Sequence, residues 1–448
     1  MKKKTVRCII LAAVLLLIVS VCGFGVYIYK KNADDAAAKK NGVIFQFSPE
    51  NIKGIDITNG NYSYSLEKDD GIWYLKDEED KKLVQESVAE AVAVFSSISG
   101  SEVKNPPELV FGIKVEIDTG LKDTVFYLAQ GDSGYYLKTK SDDVYSVSQV
   151  VYEVAVRDAG YYRDKTVSPI KSFGPEGENK FVSYNYQYIN KDGEKREINV
   201  RLKNEEEVLK YDTASLYMLT APYLLTVDAV SFESDVLTKI PQITAERFVA
   251  VENTNLSLFG LDEASRGTLT VGYDDTSFVL YIGKPAEDIS EVYCMLPDSD
   301  EVFTVKSRAL EFLSYNGFYL ADKSIFLYNT DYIRDIKINS GNFNLSVRSD
   351  GTNFYIGENP VPKEKVHEFL EELKKIKADS MEYSLPAGSE IMKITLTGSD
   401  EEVTEYKVIK TDDGRVIVSE NDSIFFKINE EALKAFTDYA KQLEKSKV

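Results

Sequence analysis

"IKGIDITNGNYSYSLEKDDGIWYL" (Ile52–Leu75) and "IRDIKINSGNFNLSVRSDGTNFYI" (Ile333–Ile356) align without a gap at an offset of 281 residues. Ile52, Ile55, Ile57, Gly60, Asn61, Asp69 and Tyr74 recur unchanged, Tyr62 faces Phe343 and Trp73 faces Phe354. Apolar residues alternate with polar ones around "NG" or "SG" and then "DG", which predicts strands joined by tight turns. "VYSV" (Val144–Val147) meets "FFKI" (Phe425–Ile428) at the same offset. A spacing kept over so many residues marks a repeat, with a first unit at 48–167 and a last at 329–448.

A middle unit, 181–328, is related at its far end. "DDVYSVSQVVYEVAVRDAGYYRDKTV" (Asp142–Val167) aligns with "DEVFTVKSRALEFLSYNGFYLADKSI" (Asp300–Ile325) at an offset of 158. "FGI" (Phe111–Ile113) likewise meets "FGL" (Phe259–Leu261) at 148. Each unit is expected to run from a hairpin through an aromatic strand into an amphipathic helix. Leu83, Val84, Val88, Ala91, Val92 and Phe95 fall on one helical face in the first, and Val366, Phe369, Leu370, Leu373 and Ile376 in the last. More strands follow ("TLTVGY", "SFVLYIG"), then a short closing helix. The fold class is α+β with mostly antiparallel sheets, because the connections look too short for crossovers. "SPIKSFGPEGENK" (168–180) reads as a linker between the first two units.

The N-terminus is of another kind. Cys8–Tyr29 is 22 residues without a formal charge, flanked by lysines, with Tyr27 and Tyr29 at one end. That length predicts a transmembrane anchor at 8–29, with a tail at 1–7 and a linker at 30–47. A cleaved signal peptide has a shorter apolar region. A lipoprotein site at Cys22 would place bulky Val21 where a small residue is wanted. Four basic residues precede the span and four follow it, so charge alone does not orient it.

Beyond residue 41 the remaining 45 basic and 71 acidic residues carry −26, against −20 for the whole chain. Such a body repels phosphate backbones, which argues against nucleic-acid binding. Outside the span only Cys294 remains, so the body holds no internal disulfide.

The motifs "WYL" (Trp73–Leu75), "FGI", "FGLDEA", "LYIGK" (Leu280–Lys284), "VYSV", "VFTV", "YYRDK" and "YLADK", in that arrangement, resemble a bacterial family known only as domain of unknown function 4340. The resemblance implies a membrane-anchored protein whose body lies outside the cytoplasm, with ABC transporter subunits as partners. The last copy departs from the pattern, lacking Phe-Gly and ending in "LEKSKV".

No catalytic, cofactor-binding or metal-ligating residue emerges. The single histidine, His367, reads as a solvated helix residue, which removes Ser-His and Cys-His pairs and the usual zinc sites. "SEVK" (Ser101–Lys104) and "SPIK" (Ser168–Lys171) fit a Ser-Lys spacing but lack partner motifs. "SDD" (Ser141–Asp143), "DSDE" (Asp298–Glu301) and "SEND" (Ser419–Asp422) lack calcium-loop spacing and read as turns. "GPEGEN" lacks the lysine of a phosphate loop. The expected function is a non-enzymatic, membrane-anchored extracytoplasmic protein, an accessory or scaffold component of an ABC-type transport system. A glycan- or peptide-binding module is the alternative, and a hydrolase with an unmarked carboxylate pair the next. Asp164-Lys165 recurs as Asp322-Lys323 while Arg163 becomes Ala321. The pair stands where another unit follows, so it is expected to cap the closing helix or brace the junction.

Overall fold

The computed structural model describes residues 42–60, 62–174, 176–249, 255–382 and 384–445. The expected tail, the span at 8–29 and residues 30–41 of the linker lie outside them. Among the described residues no helix is long and apolar enough to cross a membrane.

Each unit is built on one nine-stranded sheet, and eight strands of each follow the same order. In the first unit that order is Ile72–Leu75, Tyr62–Asp69, Gly54–Asn59, Ile113–Asp118, Asp123–Gly131, Gly134–Thr139, Val144–Val147 and Ser97–Glu102. The second repeats it as Tyr217–Ala221, Lys195–Leu202, Phe181–Ile189, Gly267–Tyr273, Thr276–Pro285, Glu291–Met295, Val302–Lys306 and Arg247–Val249. The third is Phe354–Ile356, Phe343–Ser349, Ile333–Ser340, Gly388–Gly398, Val403–Thr411, Val416–Glu420, Ile424–Ile428 and Ala378–Glu382. Neighbours are antiparallel, for example Ile57 opposite Val115 and Ile338 opposite Ile394.

The alternation that revealed the repeat is what buries one face. Ile52, Ile55 and Ile57 are fully buried, as are Ile336 and Ile338, with Ile333 nearly so. Lys53, Asp56, Arg334 and Lys337, which lie between them, are exposed, as one-sided sheets require. The "DG" turns keep their aligned left-handed residue, Asp70 at φ 45° and Gly351 at φ 93°.

Several expectations need correction. The connections do include a crossover: the chain leaves one sheet edge at Leu75, runs through the helix Gln85–Ser96, and re-enters at the opposite edge. Antiparallel pairing survives because the four-strand meander fills the gap afterwards. Leu83 and Val84 are not on that helix. They form its extended lead-in, Leu83 bridging Arg163 and Val84 donating to the Tyr162 carbonyl at 2.8 Å. Val88, Ala91, Val92 and Phe95 are buried as expected, and so are Val366, Phe369, Leu370 and Leu373 on Lys363–Lys374. Ile376 is buried just beyond that helix.

The linkers also differ. Gly42–Gln46, within the expected linker, is a strand antiparallel to Ser97–Glu102. Its residues Ile44 and Phe45 pack on the first core, which a solvated linker would not do. Ile170, inside the second linker, is buried in the core of the second sheet. The chain divides into two compact units, Met1–Lys165 and Thr166–Val448, so the second and third sheets share one body.

Candidate functional site

The Asp-Lys pairs sit where the chain passes from one sheet to the next. In the first body Asp158 caps the short helix Ala159–Tyr162, its carboxylate accepting from Tyr161 N at 3.0 Å. Asn316 caps Gly317–Leu320 in the same way, accepting from Tyr319 N at 2.8 Å. The next residues bridge back to the lead-in of the crossing segment: Arg163 to Leu83, and Ala321 to Val227. Asp164 N then donates to the Lys82 carbonyl and Asp322 N to the Thr226 carbonyl, each at 2.8 Å. The backbone bridge at position 163 is kept in the copy although its residue there is alanine; the Arg163 side chain adds a buried guanidinium 4.0 Å from Glu78.

Lys323 completes the cap expected from sequence. Its ammonium donates to the carbonyls of Phe318, Tyr319 (3.2 Å) and Ala321 (2.9 Å), the orphan acceptors of the short helix end. Partial burial pulls its pKa below the usual lysine range. The chain then leaves its own unit: Ser324 bridges Lys377, and Ala378 N donates to the Lys323 carbonyl at 2.7 Å. The third unit closes differently. Leu433, Phe436, Ala440 and Leu443 keep one stripe on a continuous helix, Glu430–Lys445, with no capped restart.

Between the second and third sheets lies a cluster that sequence reading missed, because its members are far apart in the chain. Lys210 Nζ stands 5.5–5.9 Å from the ring centres of Tyr211, Tyr328 and Tyr332 and pairs with Glu402 at 2.6 Å. Tyr328 donates to Thr404 and Tyr406 donates to Tyr328, each at 3.1 Å, and Tyr332 donates to Asp400 at 2.8 Å. Lys374 pairs with Asp212 nearby. Glu420 is the acid most changed: burial pushes its carboxyl up to about 7, Lys210 opposes the rise, and Glu402 adds to it. The cluster ties the second sheet to the third, with Lys210 and Glu402, Tyr332 and Asp400, and Tyr328 and Thr404 as its polar links.

The family model described as Domain of unknown function (DUF4340) matches residues 218–393. That stretch carries "FGLDEA", "LYIGK", "VFTV" and "YLADK", and it supports the resemblance to the DUF4340 family. It runs from the second sheet through Lys323, Tyr328 and Tyr332 into the third. No curated protein and no solved structure matches the chain.

The residues weighed for chemistry outside the DUF4340 match, and within it, fall into structural places. His367 is exposed, its Nδ1 3.2 Å from Thr330 Oγ1 and its Nε2 3.9 Å from Glu371. Cys294 is fully buried, and burial pushes its thiol pKa up. Ser168 is buried and accepts from Ile170 N, while Lys171 points to Glu178 at 2.7 Å, so the two do not form a Ser-Lys pair. Asp142 and Asp422 take left-handed turn conformations. Among the described residues no group of three His, Cys, Asp or Glu side chains could hold a metal ion.

One concavity stands apart. In the first unit about 730 Å³ of open space is lined by Asn59, Gly60, Gly112, Gln130, Asp132 and Tyr152, among others. Its polar groups are two carboxamides, one carboxylate and a phenol. That set suits hydrogen bonding better than proton transfer between a matched acid and base.

Proposed function

We propose that this is a membrane-anchored, non-enzymatic extracytoplasmic protein that serves as an accessory or scaffold component of an ABC-type transport system. The observation carrying the reading is the threefold use of one sheet. A helix carries the chain across each sheet, and the segment after the second unit's closing helix pairs, Ser324 with Lys377, beside the outer strand of the third. Each copy has its own hydrophobic core, and repeat proteins use such units to bind partners. The apolar stretch at 8–29 and the acidic body support tethering to a membrane without adhesion to anionic lipid heads.

Crosslinking in native membranes, followed by mass spectrometry, tests the proposal. Transporter subunits should be recovered with the protein. Recovery of abundant bystanders alone would sink the idea. A second reading, an extracytoplasmic binding module, is favoured by the concavity in the first unit.

A further inference from the structure

The concavity lies where a strand stops short. Asp123–Gly131 pairs with Gly134–Thr139 as far as Gly131 opposite Gly134. On its other side the ladder with Ile113–Asp118 ends at Leu128 opposite Ile113. Ala129, Gln130 and Gly131 therefore have a strand on one side only. Successive residues of a strand turn their N–H and C=O to opposite sides, so part of this backbone faces the concavity.

The other copies fill the equivalent place with their own chain. Met392 opposite Val408 corresponds to Ile113 opposite Leu128, yet the third ladder continues, with Glu390, Ser389 and Gly388 facing Ile409, Lys410 and Thr411. In the second copy Phe259 and Gly260 press onto Gly283 and Lys284, so closely that a Cβ on Gly260 would sit 2.9 Å from the Lys284 nitrogen. In the first copy no strand continues there: Gly112 N donates to the Val110 carbonyl at 3.0 Å, Val110 is 89% exposed, and it is the Leu109 side chain that reaches the strand, lying over Gly131.

We infer that the concavity of the first unit takes an extended peptide segment of a partner protein, which adds as a short strand antiparallel to Ala129–Gly131. Main-chain hydrogen bonds supply affinity in this mode of recognition and side-chain pockets supply selectivity. Asp132 is the one charged side chain in the lining, so the segment is neutral or basic. Gly60 and Gly112 leave open space beside the backbone, and the residues at this place in the third copy, Gly388 and Ser389, are small. A sugar is the poorer fit. The Tyr152 ring already packs against Tyr135, with centroids 5.1 Å apart, and is not a free stacking platform. The inference rests on the binding-module reading and is independent of any transporter.

The probe is an acetylated, amidated hexapeptide copying Ala387–Met392 with Glu390→Lys, added to the full-length protein. Hydrogen exchange read by mass spectrometry should slow saturably in the segment containing Ala129–Gly131. A Cβ at Gly60 or Gly112 meets nothing within 4 Å, so Gly60→Tyr and Gly112→Tyr fill the concavity without disturbing the fold. In both variants the peptide should bind about tenfold more weakly or not at all, with melting unchanged. Three results overturn the inference: no protection by the peptide, protection undiminished in both variants, or protection given by a soluble cell-wall oligosaccharide and not by the peptide. Failure to crosslink a transporter would count against the scaffold proposal and leave this result untouched.

Discussion

The amide of Ala378 donates to the carbonyl of Lys323 at 2.7 Å. The residue whose side chain closes the last helix of the second unit thus also holds the first residue of the third unit's outer strand. One lysine serves both neighbours, its ammonium on one side and its peptide on the other. This is why an Asp-Lys pair can recur without being a site of chemistry.

The core of the third sheet should be the most sensitive part of its body. Phe369 is fully buried, and its ring lies 5.3 Å from that of Phe436 on the closing helix. Phe369→Ala is expected to cost about 3–5 kcal/mol. Urea unfolding of the 166–448 body should register that loss as a lower midpoint. A loss within the range of surface substitutions would mean that the two helices do not share a core.

Gln85 stands in for a missing strand. Its side-chain amide accepts from Trp73 N at 2.9 Å and donates to Trp73 O at 2.8 Å, at the open edge of the first sheet. Gln85→Leu leaves both groups unpaired, at a cost of about 1–3 kcal/mol. Trp73 is the only tryptophan, so its fluorescence reports the change directly. Earlier unfolding with a red-shifted native spectrum is expected, and an unchanged spectrum and midpoint would count against the contact.

Glu420 sets a pH dependence. Its folded pKa lies above the ordinary 4.5, at about 7, so the folded state binds the proton more tightly than the unfolded chain. Its contribution is fully present below about 4.5 and is lost as pH rises through 7, up to roughly 3 kcal/mol. Glu420→Gln should flatten the fall in stability across that window. Lys210→Met removes the cation that favours the carboxylate, so the Glu420 midpoint should move further up. Titration by melting temperature against pH checks both; a variant that tracks the parent curve would refute the assignment.

The repeat was legible in the sequence wherever burial imposes a period of two. Ile52, Ile55 and Ile57 keep their places at Ile333, Ile336 and Ile338 because a one-residue slip would turn them all to water. The path of the chain was less legible. Helical periodicity announces Gln85–Ser96 and Lys363–Lys374 but says nothing of which sheet edges they join. The far-edge strand Ser97–Glu102 ("SISGSE") is built of small polar residues and carries little strand signal. The Lys210–Tyr328–Glu420 cluster draws on distant segments, and no local pattern assembles it. The concavity is visible only by comparing the ladders of three copies.

The double substitution Asp322→Ala with Lys323→Ala tests the junction most directly. Hydrogen exchange and urea unfolding would be measured on the full-length protein. The account expects a loss of about 1–3 kcal/mol, from the helix-end carbonyls and from the Asp322 carboxylate that accepts from Ser324 N at 2.8 Å. It also expects faster exchange at Ile325 and Ala378, whose amides tie the segment to the third sheet. A variant that keeps its stability and its slow exchange but loses its cellular function would contradict the account and make the pair a candidate active site.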